Sequence, residues 1–166
     1  MKGYFKEPEK TAEAFHEDWL CSGDVGEVFP NGALKIIDRV KNIFKLSQGE
    51  YIAPEKLEGI FVQSEWVGQC WIYGDSLKDF IVAIIVMDLD RLALQAKNEG
   101  KEVDDAFIEE VRPLITASLM DLATKNKCNS LEKPKQLILL REPMTVENDI
   151  LTPTMKIKRN IAKERF

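Results

Sequence analysis

The side chains of this 166-residue chain best suited to chemistry are Asp24, Arg39, Lys41 and Lys156. Asp24 lies in the glycine-flanked run Cys21-Ser22-Gly23-Asp24-Val25-Gly26. An ionised carboxylate offers two acceptor oxygens, enough for both hydroxyls of a ribose diol. A turn-capping aspartate has the same signature. Arg39 follows the apolar run that ends at Ile37, and a guanidinium at a strand end can reach a ribose or a phosphate in a cleft. A solvated surface arginine fits that position equally. Lys41 by itself is an exposed linker lysine. Lys156 lies in Leu151-Thr152-Pro153-Thr154-Met155-Lys156-Ile157-Lys158-Arg159. When a carboxylate oxygen attacks a phosphate, two anions meet, and a cation between them neutralises the charge that builds up in the transition state. Lysine suits this as a compact point charge on a flexible stem. Its neighbours Lys158, Arg159, Lys163 and Arg165 leave open a plain solvated basic face.

These groups need elements to hold them. Residues 1–38 are polar and turn-rich, with a short helical turn over Lys10–Phe15 and turn signals at Gly23, Gly26 and Pro30-Asn31-Gly32. The run Ala33–Ile37 predicts a hairpin strand. This segment is too small to close a core and is expected to be the trailing edge of a larger domain. A more compact unit begins near Val40. Phe44-Lys45-Leu46 and Tyr51-Ile52 flank the turn Ser47-Gln48-Gly49-Glu50, and Pro54 opens a helix to about Gln63 with Leu57, Ile60 and Phe61 on one face. Val67–Tyr73, Phe80–Met87 and Lys135–Arg141 predict strands, and Leu89–Lys97 and Asp104–Lys127 predict helices. Pro113 is expected to kink or split the second of these. Asp149–Met155 predicts an extended loop, the usual carrier of a group inserted into a cleft. The fold class is therefore α+β: a small mixed sheet with flanking helices over 41–166, preceded by a short β-rich piece over 1–40.

Composition narrows the function classes. A net charge of −5 argues against a nucleic-acid surface. No run approaches the roughly 18 apolar residues of a membrane span, the start has no signal-peptide core, and the end carries no retention or peroxisomal address. Cys21, Cys70 and Cys128 are odd in number, far apart and without metal-ligand spacing, which fits a reducing, intracellular setting. His16 is the only histidine and has no evident partner for a catalytic triad.

The order of the motifs carries a resemblance. Gly3-Tyr4-Phe5-Lys6-Glu7-Pro8-Glu9-Lys10-Thr11, Ser22-Gly23-Asp24, Asp38-Arg39-Val40-Lys41, the stretch from Phe44 to Glu58 and Leu151–Arg159 together resemble the C-terminal part of eukaryotic long-chain acyl-CoA synthetases, within the adenylate-forming superfamily. The resemblance covers nearly the whole chain. It implies a trailing segment of the large N-terminal AMP-binding domain over 1–40 and a mobile C-terminal domain over 41–166. It implies that Asp24 and Arg39 bind the ribose of ATP or AMP, and that Lys41 is the hinge. Lys156 would contact the carboxylate and α-phosphate during adenylation. Lys45 and Gly49 would belong to the loop used in the thioester step with CoA, where glycine lets the pantetheine arm pass close to backbone. Fatty acid, ATP and CoA are the implied substrates, with Mg2+ held by the upstream domain. Peripheral association with endoplasmic reticulum, mitochondrial or lipid-droplet membranes is implied through parts of the parent protein. Asp149 departs from the pattern, which commonly has glycine there, and so alters the turn before Lys156. The family's phosphate loop and acyl tunnel lie upstream of this chain, so the 166 residues alone are expected not to make acyl-CoA. The resemblance leaves room for another carboxylic acid, or for a non-catalytic nucleotide- or CoA-binding module.

Overall fold

In the computed structural model, which describes residues 1–166, the chain divides into two units, Met1–Ile43 and Phe44–Phe166. In the first unit, Pro8 opens α1 (Pro8–Glu13), where its missing N–H leaves no intrahelical bond unmade. Two antiparallel hairpins follow: β1 (Phe15–His16) with β2 (Trp19–Leu20), and β3 (Asp24–Val28) with β4 (Leu34–Arg39). The β3–β4 turn closes through the Phe29 N–H, which donates to the Ala33 carbonyl at 2.9 Å, while Asn31 Oδ1 accepts from the Ala33 N–H at 3.0 Å. Asp24 therefore opens a strand rather than capping a turn, because the ladder to Arg39 takes it up. No hydrophobic side chain of this unit is buried; Trp19, Val28, Leu34, Ile36 and Val40 all stand exposed. Two-stranded ribbons have no second layer to cover them, and so cannot close a core.

The second unit starts with the hairpin β5 (Phe44–Lys45) and β6 (Tyr51–Ile52), then α2 (Pro54–Phe61), β7 (Val67–Gly74), β8 (Ile81–Met87), α3 (Leu89–Glu99), α4 (Asp105–Lys125), β9 (Gln136–Leu140) and α5 (Arg159–Arg165). The order β7-β8-β9 is mixed: β8 pairs antiparallel with β7 and parallel with β9. Asp88 caps α3, accepting from the Arg91 N–H, and Asp104 caps α4, accepting from the Phe107 N–H, both at 2.8 Å.

β8 is apolar at every position from Ile81 to Met87, the pattern of a strand covered on both faces. On one face Ile72, Ala83, Ile85 and Met87 pack with Leu57, Phe61, Ile115 and Leu119 of α2 and α4. On the other, Trp71, Ile84 and Val86 pack with Met144, Ile150, Leu151 and Ala162, so the C-terminal segment forms the second cover. Each of the larger aliphatic or aromatic side chains among these contributes roughly 1.5–3 kcal/mol by leaving water.

Two expectations need correction. Pro113 does not split α4, which runs unbroken from Asp105 to Lys125. The buried stripe Phe107, Val111, Ile115, Leu119 and Ala123 spans both sides of the proline and outweighs one lost backbone bond. The segment before Lys156 is not extended either. Leu151 pairs with Ile157, and the Thr152 N–H donates to the Lys156 carbonyl at 2.8 Å, which closes a tight hairpin.

Candidate functional site

In the first unit, Asp24 and Arg39 are directly opposed partners of the β3–β4 ladder. Arg39 Nε lies 3.2 Å from Asp24 Oδ1, and Arg39 Nη2 donates to the Ser22 carbonyl at 3.0 Å. The two residues are fifteen positions apart in sequence and form one exposed polar pair, with side-chain exposures of 32% for Asp24 and 54% for Arg39. Gly23 makes the approach possible at φ +75°, in the left-handed region, and its carbonyl accepts from the Val40 N–H at 2.9 Å. Beside the pair, buried Asp38 accepts from the Arg39 N–H at 2.7 Å and from Asn42 Nδ2 at 3.1 Å, which fixes the end of β4. Lys41 is exposed in the turn that follows, two residues before the first unit ends at Ile43.

In the second unit, Lys45 and Gly49 share the β5–β6 hairpin. The Leu46 N–H donates to the Glu50 carbonyl at 2.8 Å and the Gly49 N–H to the Leu46 carbonyl at 2.9 Å. Gly49 holds φ +96°, and a Cβ built there would find only Lys45 Cε, at 3.7 Å. The tip is anchored to the β7–β8 connection: the Ser47 N–H donates to the Lys78 carbonyl at 3.0 Å, and Gln48 Nε2 donates to the Asp79 carbonyl at 3.1 Å. Buried Leu46 roots the hairpin, while the Lys45 ammonium stays exposed, 5.5 Å from the centre of the Tyr51 ring.

Lys156 closes the turn of the Leu151–Ile157 hairpin opposite Thr152. Its own N–H donates to Thr152 Oγ1 at 3.0 Å, and Met155 takes φ +61° to complete the turn. The four neighbouring cations are all engaged. Lys158 pairs with Asp149, Arg159 pairs with Glu58, Lys163 lies over the Tyr73 ring at 5.8 Å, and Arg165 donates to the Asn148 carbonyl at 3.3 Å. The Lys156 ammonium is exposed and has no such partner. The tail is thus a set of specific contacts with one free cation, rather than a uniform solvated face.

Asp149 has φ +64°, a conformation that glycine takes freely and aspartate tolerates. Asp149 therefore fits the turn and pairs with Lys158 across the base of the hairpin. Three further residues tie the hairpin to the sheet and were not singled out by sequence: Glu58, Arg159 and Gln69. Arg159 Nη1 and Nη2 donate to Glu58 Oε1 and Oε2 at 2.9 and 2.8 Å, and the Gln69 amide makes two bonds to the backbone of Met144. Burial pushes the Glu58 carboxyl above its ordinary value, and the Arg159 guanidinium only partly offsets this. Burial likewise pushes the Cys70 thiol up, so Cys70 is no nucleophile at neutral pH.

No family model matches the chain. Among curated proteins it is 47% identical over 172 residues to long-chain-fatty-acid–CoA ligase 1 of Cavia porcellus, covering 100% of this chain and 24% of that protein. It is 46% identical over 169 residues to the peroxisomal long chain acyl-CoA synthetase 6 of Arabidopsis thaliana, covering 99% of this chain and 24% of that protein. The chain is homologous to the long-chain acyl-CoA synthetases. It spans about a quarter of the length of these synthetases. Among solved structures, the A domain of the carboxylic acid reductase of Segniliparus rugosus, in complex with AMP and a co-purified carboxylic acid, superposes with a TM-score of 0.80 at 36% identity, over 98% of this chain and 24% of that one. The fold is thus that of the C-terminal part of adenylate-forming enzymes.

Proposed function

We propose that the chain is the C-terminal portion of an ATP-dependent long-chain fatty acid–CoA ligase. The parent enzyme activates a fatty acid to acyl-AMP and then transfers the acyl group to CoA. One observation carries the reading beyond homology: in the basic stretch from Lys156 to Arg165, Lys156 is the exposed cation left without a partner, at the turn of a braced hairpin.

In the first half-reaction a carboxylate oxygen of the fatty acid attacks the α-phosphorus of ATP, and pyrophosphate leaves. Lys156 neutralises charge between the two anions as it builds up. Asp24 accepts from the ribose hydroxyls, and Arg39, paired with Asp24, also binds the ribose. In the second half-reaction the CoA thiol attacks the acyl carbonyl carbon and AMP leaves. The Lys45–Gly49 hairpin serves this step, and Gly49 supplies a backbone surface without a side chain. Lys41 is the hinge, in keeping with its exposed turn just before the second unit. Residues 1–40 are the trailing segment of the large N-terminal domain, a reading supported by their uncovered apolar side chains. Residues 41–166 are the mobile domain.

The Mg2+ that accompanies ATP is assigned in this proposal to the upstream domain of the parent. No helix is long and apolar enough to cross a membrane. Any peripheral membrane association belongs in this proposal to the parent protein. The 166 residues alone do not make acyl-CoA.

The test is ATP–pyrophosphate exchange with a long-chain fatty acid on the full-length protein, wild type against Lys156→Ala. Loss of about 10²–10³-fold, the scale for removing one transition-state charge partner, with an unchanged circular dichroism spectrum, is the expected result. Unchanged exchange refutes the assignment of Lys156.

A further inference from the structure

Resting on that reading, we propose that Glu58 and Arg159 are positioning residues for the adenylation step: their two-point ion pair sets where the Lys156 hairpin stands on the small domain. Residues 143–159 cross the second face of the sheet, and both ends of this crossing are pinned. At the start, Gln69 Nε2 donates to the Met144 carbonyl at 2.9 Å and Gln69 Oε1 accepts from the Met144 N–H at 2.7 Å. At the finish, the guanidinium of Arg159 meets both oxygens of Glu58 at 2.8 and 2.9 Å. Between the pins, Ile150 and Leu151 are buried, at 2% and 3% exposure, and the hairpin rises from them to Lys156.

The finishing pin is rigid on its far side as well. Glu58 lies on α2, and its Oε1 also accepts from the Ile72 N–H of β7 at 3.0 Å, so the carboxylate is fixed by helix and strand together. Arg159 follows Lys156 by three residues, and between them Ile157 pairs with Leu151 while the Lys158 N–H donates to the Ile150 carbonyl at 2.8 Å. A shift at Arg159 therefore passes to Lys156 with little slack. The choice of side chains points the same way. A planar fork gripping both oxygens fixes orientation as well as distance, which a lysine cannot do. The pair is also largely desolvated, with 24% and 13% side-chain exposure. Ion pairs removed from water contribute little net stability, so geometry is the stronger reason for this one. It joins the ends of the two sequence stretches, Phe44–Glu58 and Leu151–Arg159, which lie 101 residues apart at the bond itself.

The test uses the full-length protein and the double variant E58Q/R159M. Glutamine keeps an acceptor for the Ile72 N–H, and the neutral pair leaves no uncompensated buried charge. Two half-reactions are read separately: fatty-acid-dependent ATP–pyrophosphate exchange, and CoA thioester formation from supplied acyl-AMP. Exchange is expected to fall about 10–100-fold, the scale for misplacing a reacting group by about 1 Å, while thioester formation stays within about twofold. R159K, which keeps the charge but not the two-point grip, should lie between. In a Lys156→Ala background the double variant should lower exchange no further, because the pair acts through Lys156. Equal losses in both half-reactions, or a further loss in the Lys156→Ala background, would assign the pair a merely structural role and overturn the proposal. If Lys156→Ala abolishes exchange while E58Q/R159M does not, the positioning role falls and the ligase reading stands. If Lys156→Ala leaves exchange intact, the assignment of Lys156 and the positioning role both fall, while the fatty-acid-dependent exchange itself still supports the ligase reading.

Discussion

Replacing Asp24 by alanine separates a structural from a ligand-binding carboxylate, because the two roles predict effects of different size. Within the fold, Asp24 makes one ion pair at 3.2 Å with a guanidinium whose side chain is 54% exposed. Exposed pairs of this kind contribute up to about 1 kcal/mol. Arg39 keeps its 3.0 Å bond to the Ser22 carbonyl, and the β3–β4 ladder does not involve the Asp24 side chain. The expected loss of stability is therefore below about 1 kcal/mol. Hydrogen bonds from the ribose hydroxyls to an ionised acceptor contribute about 1.5–3 kcal/mol, or roughly 10–150-fold in nucleotide affinity. The binding effect should thus exceed the stability effect. The assays are the KM for ATP in the exchange reaction, AMP binding by calorimetry, and the urea unfolding midpoint. Asp24→Asn retains one acceptor and should lie between wild type and Asp24→Ala. With a 2′,3′-dideoxy nucleotide the penalty of the substitution should vanish, since the hydroxyls are gone. A stability loss above about 2 kcal/mol with unchanged nucleotide affinity, or an undiminished penalty with the dideoxy nucleotide, would refute the reasoning.

Gly49→Ala meets no clash, the nearest atom being Lys45 Cε at 3.7 Å, but forces an L-residue to φ +96°. The expected stability cost is about 1–2 kcal/mol in urea unfolding, with thioester formation from acyl-AMP slowed and pyrophosphate exchange retained; unaffected thioester formation would count against the hairpin's assignment. Glu58 gives a pH signature. Burial raises its folded pKa above the ordinary value near 4.5, so the folded state holds this proton more tightly than the unfolded state. Its contribution is most favourable below about pH 4.5 and is lost as pH rises through the raised folded value. The wild-type urea midpoint, compared with that of E58Q, should accordingly fall as pH rises above 4.5; a rise would mean that the ion pair with Arg159 outweighs desolvation.

The linear sequence determined the element types wherever one local rule dominated. Pro54 and the Leu57-Ile60-Phe61 spacing fix α2, and the all-apolar run Ile81–Met87 requires a strand covered on both faces. The motif stretches around Asp24, Arg39, Lys45, Gly49 and Lys156 were legible as well, because each is continuous in the chain. Local rules failed where tertiary burial competed with them. Pro113 sits within an unbroken α4 because the buried stripe on both sides of it contributes more than one backbone bond. Asp149 takes a left-handed turn, which aspartate tolerates, and only the folded hairpin brings Lys158 to pair with it. Only the folded chain could oppose Asp24 to Arg39, engage Lys158, Arg159, Lys163 and Arg165 while leaving Lys156 free, and join Glu58 to Arg159. Sequence carries side-chain chemistry and local periodicity. Which charges meet depends on strand register and on the packing of segments up to 101 residues apart, and these are decided only when the sheet and its two covers assemble.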